Sequence, residues 1–250
     1  MSNNANPRAA LLERQPWLTF LLPFLVYIVA GALEPSPGDS VAHFARWYPV
    51  MYAVKITLTL AAVAFVWPAY RQFPLRVSLL AILVGVIGGV LWIVLCLPRL
   101  EQTYVLPLLK HVGLGGLIGD RPGFNPFDPS YNLPTVWASV FLAIRFFGLA
   151  AVVPLIEEFF LRGFVMRFVM ERDWWKVPFG TASRLAIVVG TVVPMLYHPE
   201  LLAAAVWFSL ITWLMLRTRN IWDCVVAHAI TNLILGIYVV MMGGQAWQLL

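Results

Sequence analysis

The sequence predicts an all-α protein, a polytopic transmembrane bundle of about seven or eight helices around a central cavity. Three observations predict it. The 250-residue chain is 61% hydrophobic and only 12% charged, whereas soluble domains are about a quarter charged. Its apolar residues fall into runs near the roughly 20-residue length that spans a bilayer. Ionisable groups nevertheless recur inside those runs, where each costs roughly 2.5–3.5 kcal/mol on insertion scales. The length suits one bundle rather than two domains. Residues 1–16 read as a frayed polar tail in the cytoplasm, and 17–250 as a single transmembrane domain.

The apolar runs follow in order: Trp17–Leu33, Pro49–Tyr70, Val77–Leu97, Pro134–Met170, Arg184–Tyr197, Leu201–Leu216 and Ile221–Met242. The first lacks a small-residue cleavage site and reads as a retained span. Pro134–Met170 is too long for one upright span, at roughly 55 Å with a rise of 1.5 Å per residue. Pro154 lies inside it, so the run is either a pair of helices broken before Pro154 or one long kinked element. Arg184–Tyr197 and Leu201–Leu216 are short and separated by His198-Pro199-Glu200, which predicts a polar break within the membrane thickness that lines a cavity. Between the third and fourth runs, Pro98–Leu133 reads as an external loop with a short interfacial helix around 103–112. Its glycines Gly113, Gly115, Gly116 and Gly119 lack phosphate-loop spacing.

The net charge of +5 comes from basic residues in short turns, so it reports topology and not a nucleic-acid partner. With the N-terminus in the cytoplasm, Arg71 and Arg76 lie inside. One net crossing by 134–170 keeps Arg167, Arg172, Lys176, Arg184, Arg217 and Arg219 inside as well; two crossings would expel them. Cys96 and Cys224 sit within apolar runs and read as small hydrophobic side chains. The expected location is a bacterial inner membrane, with lipid and a membrane-associated protein or peptide as partners. Oligomeric state is not encoded legibly.

The groups with chemical potential are Glu157-Glu158-x-x-x-Arg162, His198 and His228-x-x-x-Asn232. Glu158 and Arg162 are four apart and share a helix face, so they can pair. Glu157 points about 100° away and is left as a free carboxylate, a candidate general base. A purely architectural ion pair would explain Glu158 and Arg162 but not Glu157. His198 alone also has a plainer reading, as a helix-terminal histidine. His228 and Asn232 alone read equally as interhelical hydrogen-bonding groups, with Ala227, Ala229 and Thr231 permitting close approach. His43 and His111 read as solvated loop residues. Lys55 is expected to snorkel, Arg145 to pair with a carboxylate, and Asp223 to act as an N-terminal helix charge. There is no His-Glu-x-x-His zinc motif and no Gly-x-Ser-x-Gly elbow.

These residues resemble the CAAX-protease and bacteriocin-processing family of intramembrane glutamic-type proteases, which includes the type II CAAX prenyl endopeptidases. Glu157, Glu158 and Arg162 match its Glu-Glu-x-x-x-Arg motif, and His228 with Asn232 matches His-x-x-x-Asn. His198 matches the histidine of Phe-x-x-x-His, but Pro194 stands at the aromatic position. The resemblance covers about 134–242, which it implies is the catalytic core, with 17–97 as accessory helices. It also implies eight helices and a conical catalytic cavity. The His-Pro-Glu context is similar to a bacterial CAAX-protease-related branch associated with exosortase systems.

The resemblance implies an intramembrane endopeptidase acting on a membrane-associated or lipidated substrate. Glu157 would activate water held by His198, His228 and Asn232 would stabilise the oxyanion, and Glu158 and Arg162 would support Glu157. No cofactor is required, although a Glu/His/His set can bind zinc. The alternative is a non-catalytic membrane scaffold or bacteriocin self-immunity protein of the same fold. A transporter or proton relay is disfavoured by the absence of inverted repeats.

Overall fold

A computed structural model describes residues 7–35, 40–113 and 123–249. The described residues are helical and contain no strand. The helices are α1 Pro7–Arg14, α2 Pro16–Gly31, α3 Val41–Tyr70, α4 Leu79–Cys96, α5 Leu106–His111, α6 Thr135–Phe168, α7 Arg184–Met195, α8 Leu201–Thr218 and α9 Ile221–Met242. Of these α3, α4, α6, α8 and α9 are long and apolar enough to cross a membrane, while α2 and α7 are shorter apolar helices. The apolar side chains Leu79, Leu83, Val86, Val90 and Val94 are exposed along α4, as expected of a helix that meets lipid rather than water. The chain is a multi-pass membrane protein.

The long fourth run is one continuous helix of 34 residues, not a broken pair. Pro154 is absorbed without a break because the backbone before it, Gly148–Val152, is π-helical. The Val153 N–H bonds to the Gly148 carbonyl, five residues back. In that wider register Pro154 stands opposite the Leu149 carbonyl, and proline has no N–H to offer it. A second π-helical stretch, Phe159–Val165, follows.

One end of the bundle gathers the basic turns. Asn220 Nδ2 donates to the Arg76 carbonyl at 2.7 Å, and Trp222 Nε1 to the Phe73 carbonyl at 3.0 Å. Gly180, at φ +83°, packs directly on Arg219. The turns after α3, α6 and α8 therefore meet, so α6 makes one net crossing, as the charge bias predicts. The tail departs from expectation here. Pro7–Arg14 is a helix whose Leu12 is buried beside Phe20 and Trp174; apolar anchoring, not fraying, decides it. Residues 1–6 lie outside the described residues.

Other elements refine the sequence reading. α3 begins at Val41, eight residues before the apolar run, because Ser40 caps it by accepting from the His43 N–H. His43 therefore belongs to a helix, as does His111 at the end of α5; both are exposed. The expected helix in the 98–133 loop is α5, preceded by a π-turn over Glu101–Val105. Gly115, Gly116 and Gly119 lie outside the described residues. The loop's Asn125–Asp128 turns are ordered by Asn125 and Asp128 side chains accepting from the Phe127 and Ser130 N–H groups. Hydrogen bonding from Ser130 holds the Asp128 carboxyl below its usual range. Phe124, buried against Phe44, Tyr48, Tyr131 and Phe141, pins the loop to the bundle.

The tightest helix pair is α4 with α9. A Cβ on Gly85 would lie 2.8 Å from the Ala227 carbonyl, and one on Gly89 3.0 Å from Ile234. Small residues let membrane helices pack this closely. Thr231 Oγ1 donates to the Gly85 carbonyl at 2.8 Å. At the basic end Asp223 accepts from both N–H and Oγ of Ser78, the cap of α4. Both contacts fix the rotation of α9, and with it the direction of His228 and Asn232.

Candidate active site

A cavity of about 460 Å³ opens between α2, α3, α6, α8 and α9. Glu157, His198, His228 and Asn232 all line it. Three separate stretches thus deliver the four groups to one chamber, and Glu200 and Tyr197 of the α7–α8 break join them there.

Glu157 and Glu158 diverge as the helical repeat requires. Glu158 turns into protein and is fully buried, as is Arg162. Glu158 Oε2 lies 3.2 Å from Arg162 Nε. Arg162 also lies under the Phe208 ring at 5.3 Å and donates to the Phe208 carbonyl at 3.3 Å. These contacts bind α6 to α8. The other Glu158 oxygen, Oε1, is 2.9 Å from His228 Nδ1. A buried line of groups therefore runs Arg162–Glu158–His228. It ends on Glu157, whose Oε2 is 3.7 Å from His228 Nε2. With Nδ1 bonded to Glu158, the imidazole presents Nε2 to the cavity.

His198 follows α7. Its Nδ1 is 2.8 Å from the Pro194 carbonyl, a contact that turns Nε2 away from the backbone when Nδ1 carries the proton. Pro194, the residue that departs from the aromatic motif position, sits in the last turn of α7 without breaking it. The ring is packed by Trp92, Tyr197 and Phe208.

Asn232 Nδ2 donates to the Leu149 carbonyl at 2.9 Å. This is the carbonyl that Pro154 leaves without its backbone donor, so Asn232 has an architectural duty beside any chemical one.

Sequence reasoning missed Tyr197. Its hydroxyl donates to Glu157 Oε1 at 2.5 Å, so the carboxylate is gripped between a phenol and an imidazole. The only signal was its place next to His198. One other expectation is corrected. Lys55 does not snorkel: it is buried, pairs with Glu34 at 2.7 Å, and lies on the faces of Tyr27 and Tyr52. The short α2 ends level with it, and Glu34, just past the end of that helix, supplies the partner. Arg145 donates to the Tyr48 hydroxyl at 3.1 Å amid the rings of Tyr48, Tyr52 and Phe141. Among the described residues, no three His, Cys, Asp or Glu side chains converge to hold a metal ion.

Residues 137–234 match the family model described as type II CAAX prenyl endopeptidase Rce1-like. Neither the curated proteins nor the solved structures yield a match. The matched segment begins in α6 and ends in α9, so it contains Glu157, Glu158, Arg162, His198, His228 and Asn232 together. Across residues 137–234 the chain is therefore similar to the type II CAAX prenyl endopeptidase Rce1-like family.

Proposed function

We propose that the protein is an intramembrane endopeptidase in which Glu157 activates water to hydrolyse a peptide bond of a membrane-associated substrate. The observation that carries this reading is the convergence of Glu157, His198, His228 and Asn232 on one cavity. Glu157 accepts a proton from water as the water oxygen attacks the carbonyl carbon. His198, tethered through Nδ1, holds that water at Nε2. The tetrahedral oxyanion receives N–H donors from the His228 side chain and from the second amide hydrogen of Asn232. Preorganised donors of this kind contribute on the order of 3–4 kcal/mol each in a dry site. The C–N bond then breaks as Glu157 returns its proton to the leaving amine. Glu158 and Arg162 hold His228 and α6 in register. No metal takes part in this scheme. The basic end faces the cytoplasm by the positive-inside bias.

The test is comparative proteomics of host membranes carrying the unmodified protein or Glu157→Gln, with both shown to be folded. New peptide termini that vanish in the variant support the reading and identify the substrate. Identical termini overturn it and leave the non-catalytic scaffold or immunity role.

A further inference from the structure

The chamber has a direction. On α6 its lining residues run from Arg145 to Glu157, and on α9 from His228 to Leu235. Among the described residues, neither helix places a lining residue between Glu157 or His228 and the basic turns. α3 contributes Phe44, Tyr48, Tyr52 and Lys55, all from its first half. α8 contributes Trp207, from the half remote from Arg217. The lining therefore begins at the level of Glu157 and His228 and climbs away from the basic end.

Contacts at the far end hold these stretches on one side. Arg99, after α4, donates to Gln245, after α9, at 2.6 Å. The Leu202 N–H, at the start of α8, donates to Glu101 Oε1 at 2.9 Å. A Cβ on Gly123 would meet the backbone of Trp247, and the adjacent Phe124 packs on Phe44 near the start of α3.

Toward the basic end the chamber is floored. Phe159 and Tyr70 are fully buried and stacked, with ring centroids 3.8 Å apart. Phe20, Phe73 and Trp222 close around Phe159. A close-packed layer of this kind leaves no void for water. A cavity of about 230 Å³ on the basic side, between α1, α2 and α3, shares no lining residue with the chamber. At the far end the reverse holds: a cavity of about 220 Å³ shares Glu200 and Leu249 with it. The lining residues Glu34, Pro35, Glu200 and Leu249 are partly exposed, whereas Glu157 and His228 are buried. The positive-inside bias assigns the basic end, and so the floor, to the cytoplasm.

We propose that the Glu157 chamber is reached from the non-cytoplasmic side of the membrane, and that its substrate is a membrane-anchored polypeptide whose cleaved segment lies on that side. The substrate class rests on the peptidase reading; the access route does not.

The test separates the two. The full chain, with Cys96→Ala and Cys224→Ala removing the native thiols, is expressed in the inner membrane of a bacterial host. Val153→Cys places a thiol on the chamber wall, one turn from Glu157. Thr103→Cys and Arg172→Cys, both at exposed positions, report the far end and the basic end. A charged, membrane-impermeant methanethiosulfonate is applied to spheroplasts and to inverted vesicles. Val153→Cys is expected to label together with Thr103→Cys in spheroplasts. That labelling is lost in inverted vesicles, where Arg172→Cys labels instead. Should Val153→Cys misfold, Leu149→Cys, one turn further along the same wall, replaces it. Labelling of the chamber thiol from the side of Arg172→Cys, or from neither side, overturns the route. Labelling of Arg172→Cys in spheroplasts inverts the orientation and overturns it too. The peptide termini that depend on Glu157 give the second readout, and they are expected in segments outside the cytoplasm. Glu157-dependent termini in cytoplasmic segments overturn the substrate class and leave the peptidase reading standing. Far-side labelling with no such termini keeps the route and removes the peptidase reading.

Discussion

Asn232 and Leu149 are joined by a side-chain hydrogen bond of 2.9 Å that repairs the backbone of α6 where Pro154 interrupts it. A motif residue on the last helix therefore completes the helix that carries Glu157. The two helices share one defect and one remedy, which ties the position of the carboxylate to the position of the amide.

This coupling predicts a non-additive pair. Asn232→Ala leaves the Leu149 carbonyl buried without its donor and is expected to cost about 1–3 kcal/mol. In a Pro154→Ala background residue 154 regains an N–H, and the same substitution should cost clearly less. Denaturant unfolding of the four proteins in micelles measures the difference. Additive costs would show that Pro154 and Asn232 act independently.

The Glu158–Arg162 pair is fully buried, so removing one partner strands the other. Arg162→Met is expected to destabilise the fold by about 3–5 kcal/mol. The double variant Arg162→Met/Glu158→Gln should recover part of that loss, read as thermal stability in micelles. Equal stability of Arg162→Met and the unmodified protein would contradict a buried charged pair.

Tyr197 grips the oxygen of Glu157 that faces away from His228. Under the proposed mechanism Tyr197→Phe keeps the ring packing on His198 but releases the carboxylate. Turnover of the identified substrate should fall about tenfold, in line with loss of one hydrogen bond to a charged group. KM and thermal stability should stay near their original values. A raised KM with unchanged kcat would assign Tyr197 to substrate binding instead.

Close packing of α4 on α9 sets a steric prediction. A Cβ at Gly85 already approaches backbone, which cannot yield as a flexible side chain can. Gly85→Val is expected to cost about 1–3 kcal/mol or more by overpacking. It should also displace His228, lowering turnover beyond the loss of folded protein. Gly113, with open space around it but φ of +77°, is the control: substitution there strains a turn and leaves turnover per folded molecule unchanged.

Much of this was legible before any coordinates. The apolar runs set the membrane class and nearly every helix, because in a bilayer only an internally bonded backbone survives. The α-helical repeat separated Glu157 from Glu158 and paired Glu158 with Arg162, because that geometry is local. Spacing within the chain carries such information directly.

What the sequence determined by itself was the set of residues that cannot sit in lipid without a purpose, and which of them share a turn of helix. The tertiary structure decided the rest. It settled that α6 runs unbroken through Pro154, that Asn232 supplies the missing donor, that Glu34 neutralises Lys55, and that Tyr197 reaches Glu157. Each of these joins residues far apart in the chain. Partners across helices are chosen by which small residues let the helices meet and by which buried polar atoms then need satisfying, and neither is written in local spacing.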